Sequence, residues 1–197
     1  MTRIGLFGGS FDPPHRAHVA LARCARDELH LGEVRWIPAG RPWQKSRTMT
    51  AVEHREAMVR LAIGDEPRFV LDRIEIERPG PSYTLDTVRE MQARETADEW
   101  VLLIGADQYA GLHTWNGWPE LLARVTLAVA NRPGPMPPPH PDVLRHPHRV
   151  VPLAMLDISS TDIRARVARG EPIADLVPPE VARYIDHHAL YREGQAR

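Results

Sequence analysis

The sequence predicts an α/β protein: a doubly wound parallel sheet with a small helical piece at its C-terminal end. Short apolar runs of strand length alternate with stretches of helical spacing through most of the 197 residues. The first run, Ile4 to Phe7, stops at Gly8-Gly9, as a buried strand does when it enters a tight turn. After Ser159-Ser160 the chain holds two helical stretches and no further strand pattern.

Each element follows in order. From Arg16 to Leu29 the residues Ala17, Leu21, Cys24, Ala25 and Leu29 recur at helical spacing. Val34 to Pro38 is a second strand, followed by a polar loop, Ala39 to Met49, that holds Arg41, Lys45 and Arg47. Thr50 precedes Glu53 by three residues, a capping-box signature for a helix over Ala51 to Ile63. Phe69 to Ile76 includes alternating residues that continue the rhythm, and Gly80-Pro81 turns the chain into a helix from near Thr84 with Leu85, Val88 and Met91 on one side. Trp100 to Ile104 is a continuous apolar strand ending at Gly105; a helix follows Trp118-Pro119, and Thr126 to Ala130 is another strand. Arg132 to Pro147 contains seven of the 19 prolines and is read as a surface loop. It is not a domain boundary, because strand-like Val150 to Leu153 resumes the sheet. One helix after Ser159-Ser160 and one around Val181 to His188 close a single domain over 1–197, its helical part beginning at about 159.

Composition excludes several classes. With 43% hydrophobic and 26% charged residues the chain is an ordinary globular protein, not a disordered one. Lys and Arg total 25 against 26 Asp and Glu, a net charge of -1, which gives no broad basic field for coating nucleic acid. A local basic pocket for one small polyanion remains compatible with that balance. The lone cysteine, Cys24, excludes an intrachain disulfide framework and a multi-cysteine zinc site. His140, His146 and His148, set among prolines, match no zinc spacing, nor do His187-His188. No apolar run approaches the ~18 residues of a spanning helix, and the N-terminus lacks the apolar core of a signal peptide. The expectation is a soluble cytoplasmic protein with no membrane or nucleic-acid partner, no protein-bound metal, and an oligomeric state left open.

The most informative segment is Gly8-Gly9-Ser10-Phe11-Asp12-Pro13-Pro14-His15-Arg16-Ala17-His18. A strand delivers two glycines, a hydroxyl and two histidines to a helix N-terminus. Glycines let a ligand approach backbone N–H groups, and the helix start adds oriented donors and the positive end of its dipole. This is a phosphate site at the carboxyl edge of a parallel strand, and it is neither the GxGxxG fingerprint nor a Walker loop. His15 and His18, three apart, point to similar sides and serve as donors to phosphate oxygens; in isolation such a pair is more often a helix cap and a solvated ring. A second segment, Ile158-Ser159-Ser160-Thr161-Asp162-Ile163-Arg164, reads either as plain N-cap material or as a second anion site completed by Arg164.

Together the two segments resemble the signatures of the nucleotidyltransferase superfamily, a (T/S)-x-x-x-x-H-x-G-H loop and an I-S-S-T-x-(I/V)-R helix start. Within it the chain resembles the bacterial nicotinate-nucleotide adenylyltransferases. The narrower match rests on Gly8-Gly9-Ser10-Phe11-Asp12-Pro13, on Glu77-Arg78-Pro79-Gly80-Pro81-Ser82-Tyr83-Thr84-Leu85-Asp86-Thr87, and on Ile104-Gly105-Ala106-Asp107. Trp115, Arg132-Pro133-Gly134 and the closing Tyr184-Ile185 and Leu190-Tyr191 also fit, so the likeness covers almost the whole chain.

The resemblance implies a Rossmann-like fold and transfer of the adenylyl group of ATP to nicotinate mononucleotide, giving nicotinate adenine dinucleotide and pyrophosphate, with Mg²⁺ accompanying ATP. It implies that His15, His18, Lys45 and Arg164 act in catalysis, and that Gly8, Gly9, Ser10, Phe11, Gly105, Asp107, Ser160 and Thr161 bind ATP. Tyr83, Thr84, Trp115 and Arg132 would form the mononucleotide pocket, the pyridine ring packed against Trp115. Nicotinamide mononucleotide or phosphopantetheine as acceptor, and a nucleotide-binding sensor without turnover, are the alternatives. Two departures stand out: Ala17 replaces the usual glycine between the histidines, and Trp43-Gln44-Lys45 stands where many relatives have Pro-His-Lys.

Overall fold

The computed structural model describes residues 2–41, 49–130, 138–152 and 156–192. Strand β1 (Arg3–Gly9) leads into α1 (Arg16–Glu28), β2 (Glu33–Pro38) and α2 (Val52–Ile63). Next come β3 (Phe69–Leu71), the short α3 (Ile74–Glu77), α4 (Thr84–Arg94), β4 (Glu99–Gly105) and α5 (Ala106–Ala110). A 3₁₀ turn over Leu112–Thr114 precedes α6 (Trp118–Arg124) and β5 (Thr126–Ala130). They are followed by α7 (Pro141–Leu144), β6 (His148–Val151), α8 (Ser160–Ala168) and α9 (Pro179–His187).

The six strands form one sheet in the order β3-β2-β1-β4-β5-β6, and every pairing is parallel. This is the doubly wound order, with the chain reversing its direction of growth between β1 and β4; ligands of such sheets bind outside the carboxyl ends of the strands at that crevice. Leu6 of β1 pairs with Leu102 of β4, so Gly9 and Gly105, each three residues further on, reach the same edge.

The central strands are apolar on both faces, as a sheet covered on both sides requires. Leu6, Leu102, Ile104, Leu127 and Val129 face one core with α4 and α6; the alternate residues Phe7, Val101, Leu103, Ala128 and Ala130 face the other with α1. A third cluster joins Met58 and Ala62 of α2 to Ile163 of α8, Val177 before α9, and Val181 and Ile185 of α9. The C-terminal piece is thereby fastened beside the carboxyl edge of the sheet.

Local side chains move several boundaries. Helix α2 starts one residue later than the capping-box pattern places it: Ala51 is the N-cap, with no side-chain cap. The Thr50 side chain is bonded instead to the Tyr191 hydroxyl, from the far end of the chain. The alternation of Phe69 to Ile76 is not carried through, because Asp72 Oδ1 accepts the Ile74 N–H at 3.0 Å and turns the chain into α3. Strand β6 begins earlier than the apolar pattern does, at His148. The proline-rich stretch contains a short helix, α7, started by Pro141 after an N-cap at His140.

Candidate active site

At the end of β1 the Gly8-Gly9-Ser10 backbone crosses the sheet edge at the switch point. A Cβ on Gly9 would lie 3.1 Å from the Phe11 ring, so glycine is what lets that ring tuck beneath the turn. Phe11 has a positive φ of 46° and is 1% exposed, held edge-on to Phe7 at 5.4 Å. Its ring belongs to the core, so only its backbone borders the turn.

His15 is the buried N-cap of α1, extended at φ −142°, and its N–H donates to His18 Nδ1 at 3.1 Å. The two rings stack, with centroids 3.6 Å apart and planes 25° from parallel, and Phe11 meets His18 edge-on at 5.2 Å. Because His18 Nδ1 accepts, the proton of the neutral ring resides on Nε2. Ala17 sits between them inside the first turn of α1, where alanine is favoured.

Residues distant in sequence anchor this loop. Arg55, 2% exposed on α2, donates to the carbonyls of Thr50, Ser10, Ala39 and Gly40. The Ser160 hydroxyl donates to Pro13 O at 2.9 Å, and Arg164 donates to Asp12 O at 2.7 Å and to Thr161 Oγ1 at 3.0 Å. The fully buried Asp12 receives the Tyr191 hydroxyl at 2.8 Å and the Thr50 N–H at 3.4 Å. Burial, and then the charge of Asp12, push the Tyr191 phenol well above its ordinary range, so it remains a donor. Ser159 caps α8 by accepting the Asp162 N–H at 3.0 Å. The starts of α1 and α8, and the two sequence motifs with them, are thus tied together.

Across the switch point lies a cavity of about 140 Å³. Gly8, Gly9 and Ser10 form one wall, and Ser82, Tyr83, Thr84 and Trp115 form another, with Glu75 and Thr87 also lining it. Gly105 caps the short α5, with its N–H donating to Gln108 Oε1 at 3.3 Å, and Asp107 is exposed in its first turn. Lys45 and Arg132 lie outside the described residues. Among the described residues, no group of three or more His, Cys, Asp or Glu is arranged to hold a metal ion, and no helix is long and apolar enough to cross a membrane.

Sequence reasoning missed Glu75, Thr87, Arg55, Asp12 and the role of Tyr191. Thr87, one turn after Thr84 on a helix whose apolar face was clear, carried a weak signal. Glu75 carried none, since nothing local distinguishes a buried glutamate from a solvated one.

The crossover order and the paired helix starts beside its switch point define a phosphate-binding α/β class of protein. A family model described as cytidylyltransferase-like matches residues 6–166. A protein of Methylibium petroleiphilum named as a nicotinate-nucleotide adenylyltransferase is 53% identical, covering 96% of this chain and 92% of its own length. One of Bordetella petrii with the same name is 46% identical over 98% of this chain and 100% of its own. The solved structure of Plasmodium falciparum nicotinic acid mononucleotide adenylyltransferase complexed with NaAD superposes with a TM-score of 0.77 at 18% identity, covering 97% of this chain and 98% of its own. The chain belongs to the nicotinate-nucleotide adenylyltransferase family.

Proposed function

We propose that this chain joins ATP and nicotinate mononucleotide to give nicotinate adenine dinucleotide and pyrophosphate, with the residues of the β1 edge in the following roles. The 5′-phosphate oxygen of the mononucleotide attacks the α-phosphorus of ATP in line; the bond to the β-phosphate breaks and pyrophosphate leaves. No protein nucleophile takes part, so catalysis is positioning and charge stabilisation.

The single observation that carries this reading is the stacked His15–His18 pair at the N-terminus of α1, flanked by the start of α8 with Arg164, on the loop whose Gly8, Gly9 and Ser10 line the cavity of Tyr83, Thr84 and Trp115. A triphosphate laid over Gly8, Gly9 and Ser10 meets helix N–H donors and imidazole donors on one side and the Ser160, Thr161 and Arg164 group on the other. Lys45 is assigned as a further phosphate cation. Gly105 and Asp107 are assigned to the adenosine, Asp107 as an acceptor for ribose hydroxyls. The mononucleotide ring is assigned to Trp115, with Tyr83, Thr84 and Arg132 around it.

Mg²⁺ enters with ATP as part of the substrate, where it offsets polyphosphate charge. The described side chains offer it no dedicated ligand cluster.

The test is Mg²⁺-dependent pyrophosphate release from ATP with nicotinate mononucleotide, nicotinamide mononucleotide or phosphopantetheine as acceptor. Strong release with the nicotinate acceptor supports the reading. Turnover favouring another acceptor overturns the pocket assignment, and ATP binding without release with any of the three overturns the enzyme reading.

A further inference from the structure

The mononucleotide cavity has a buried acid in its wall that no role above uses. Glu75 is 7% exposed, although it sits on a helix of only four residues, Ile74–Glu77. Thr87, 2% exposed on α4, donates its hydroxyl to Glu75 Oε1 at 2.8 Å and receives Arg78 at 2.8 Å. The Glu75 side chain also hydrogen-bonds Ser82. Ser82 Oγ in turn receives the Arg41 N–H at 3.2 Å, and the Ser82 N–H donates to Arg41 O at 3.0 Å.

The backbone around Glu75 is equally constrained. A Cβ on Gly40 would stand 2.1 Å from Glu75 O and 3.0 Å from its carbonyl carbon, so the exit of β2 is pressed against α3. Arg55 holds that exit from the other side through Ala39 O and Gly40 O, and it reaches Ser10 O as well. Glu75 therefore stands where three segments meet: the β2 exit, the Ser82-Tyr83-Thr84 turn and the first turns of α4. All three contribute residues to the cavity wall.

We propose that Glu75 is a positioning residue for the mononucleotide half of the site, its carboxyl group fixing Ser82 and Thr87 so that Tyr83 and Thr84 present one geometry to the acceptor. The role rests on the functional reading above and deepens it. The Glu75 side chain bonds the acceptor wall, whereas its link to the β1 edge runs through backbone packing on Gly40 and through Arg55, which a side-chain substitution leaves in place. Its loss acts on one substrate and not the other, an asymmetry that a merely structural residue does not produce.

The experiment is steady-state kinetics of wild type, Glu75→Ala and Glu75→Gln, varying nicotinate mononucleotide at saturating ATP and then ATP at saturating mononucleotide. In Glu75→Ala the KM for the mononucleotide is expected to rise tenfold or more while that for ATP stays within twofold. Glu75→Gln, whose amide oxygen still accepts from Thr87, is expected to recover most of that loss. Equal rises in both KM values, or a mononucleotide KM within twofold of wild type, overturn the proposal. Should Glu75→Ala fail to fold, Thr87→Val reads the same contact: a severalfold rise in the mononucleotide KM alone supports it and no rise overturns it. Absence of wild-type turnover with nicotinate mononucleotide defeats the functional reading and the proposal together. Normal wild-type turnover with an unmoved mononucleotide KM defeats the positioning role alone.

Discussion

Replacing Tyr191 by phenylalanine tests whether the C-terminal segment holds the catalytic loop. The ring stays, so the apolar burial around it is little changed; what goes is one donor, 2.8 Å from Oδ1 of the fully buried Asp12. A hydrogen bond to a charged group contributes about 1.5–3 kcal/mol, and a buried acceptor deprived of a partner puts the loss toward the upper end. For a chain of this length each kcal/mol moves the thermal midpoint by about 2–4 °C, so a fall of about 3–12 °C is expected. Because burial keeps the phenol protonated, the deficit should persist up to about pH 9. Asp12 O also receives Arg164, so a loosened Asp12 disturbs the polyphosphate wall. The KM for ATP should rise severalfold and that for the mononucleotide should not. Thermal melts and the two KM values decide it. A midpoint shift under about 1 °C, with the Asp12→Asn, Tyr191→Phe double-mutant cycle showing coupling below about 0.5 kcal/mol, would refute the reasoning.

Three further outcomes are expected. His18→Ala should lower kcat by about 10²–10³, the range for losing one preorganised donor, and lower the thermal midpoint by a few degrees, because His18 Nδ1 also accepts the N–H of the buried N-cap His15; near-normal turnover would remove His18 from the mechanism. Gly40→Ala drives a methyl into Glu75 O, which is backbone and cannot swing aside, so a loss of about 1–3 kcal/mol is expected in denaturant unfolding; wild-type stability would show that the β2 exit gives way freely. Burial raises the Glu75 carboxyl above its ordinary 4.5, so the folded state favours its neutral form; the stability that gives is present at low pH and is lost as pH rises through the raised value. The thermal midpoint of Glu75→Gln minus that of wild type should therefore grow as pH climbs from 4.5, and a difference independent of pH would sink the assignment.

The elements that sequence made legible are those whose signal is local. The Ile4 to Phe7 run with its glycine turn, the helical spacing from Arg16, and the continuous strand into Gly105 all depend on periodicity and punctuation, which a single chain displays. The elements it misplaced were moved by one side chain each. Asp72 ends β3 by accepting the Ile74 N–H and turning the chain, and Thr50 is bonded to Tyr191 rather than serving as a cap. Within the site, the two motifs were readable only as a pair, since each alone has a plain helix-cap reading and in the structure His15 and Ser159 are indeed N-caps. That Ser160 and Arg164 of one motif donate to the backbone of the other was not readable, since neither partner is a side chain. The anchoring roles of Arg55, Asp12 and Glu75 were not readable either, since a charge becomes informative only once burial and partners are known.

The anchors explain how a loop of this kind avoids ordering on binding. Were Ser10 to His15 free, fixing them around a triphosphate would subtract about 1–2 kcal/mol per residue from affinity. Here the cost is met during folding. Arg55 holds Ser10 O, Arg164 holds Asp12 O, Ser160 holds Pro13 O and Tyr191 holds the Asp12 carboxylate, four donors from three remote segments. The helical C-terminal piece supplies three of the four. Its hydrophobic contacts with Met58 and Ala62 of α2 seat it, and α2 also carries Arg55. Weakening that contact far from any substrate, as in Val181→Ala, should therefore raise the ATP KM as well as lower the melting point. A variant destabilised equally in the α4 and α6 core should lower the melting point alone.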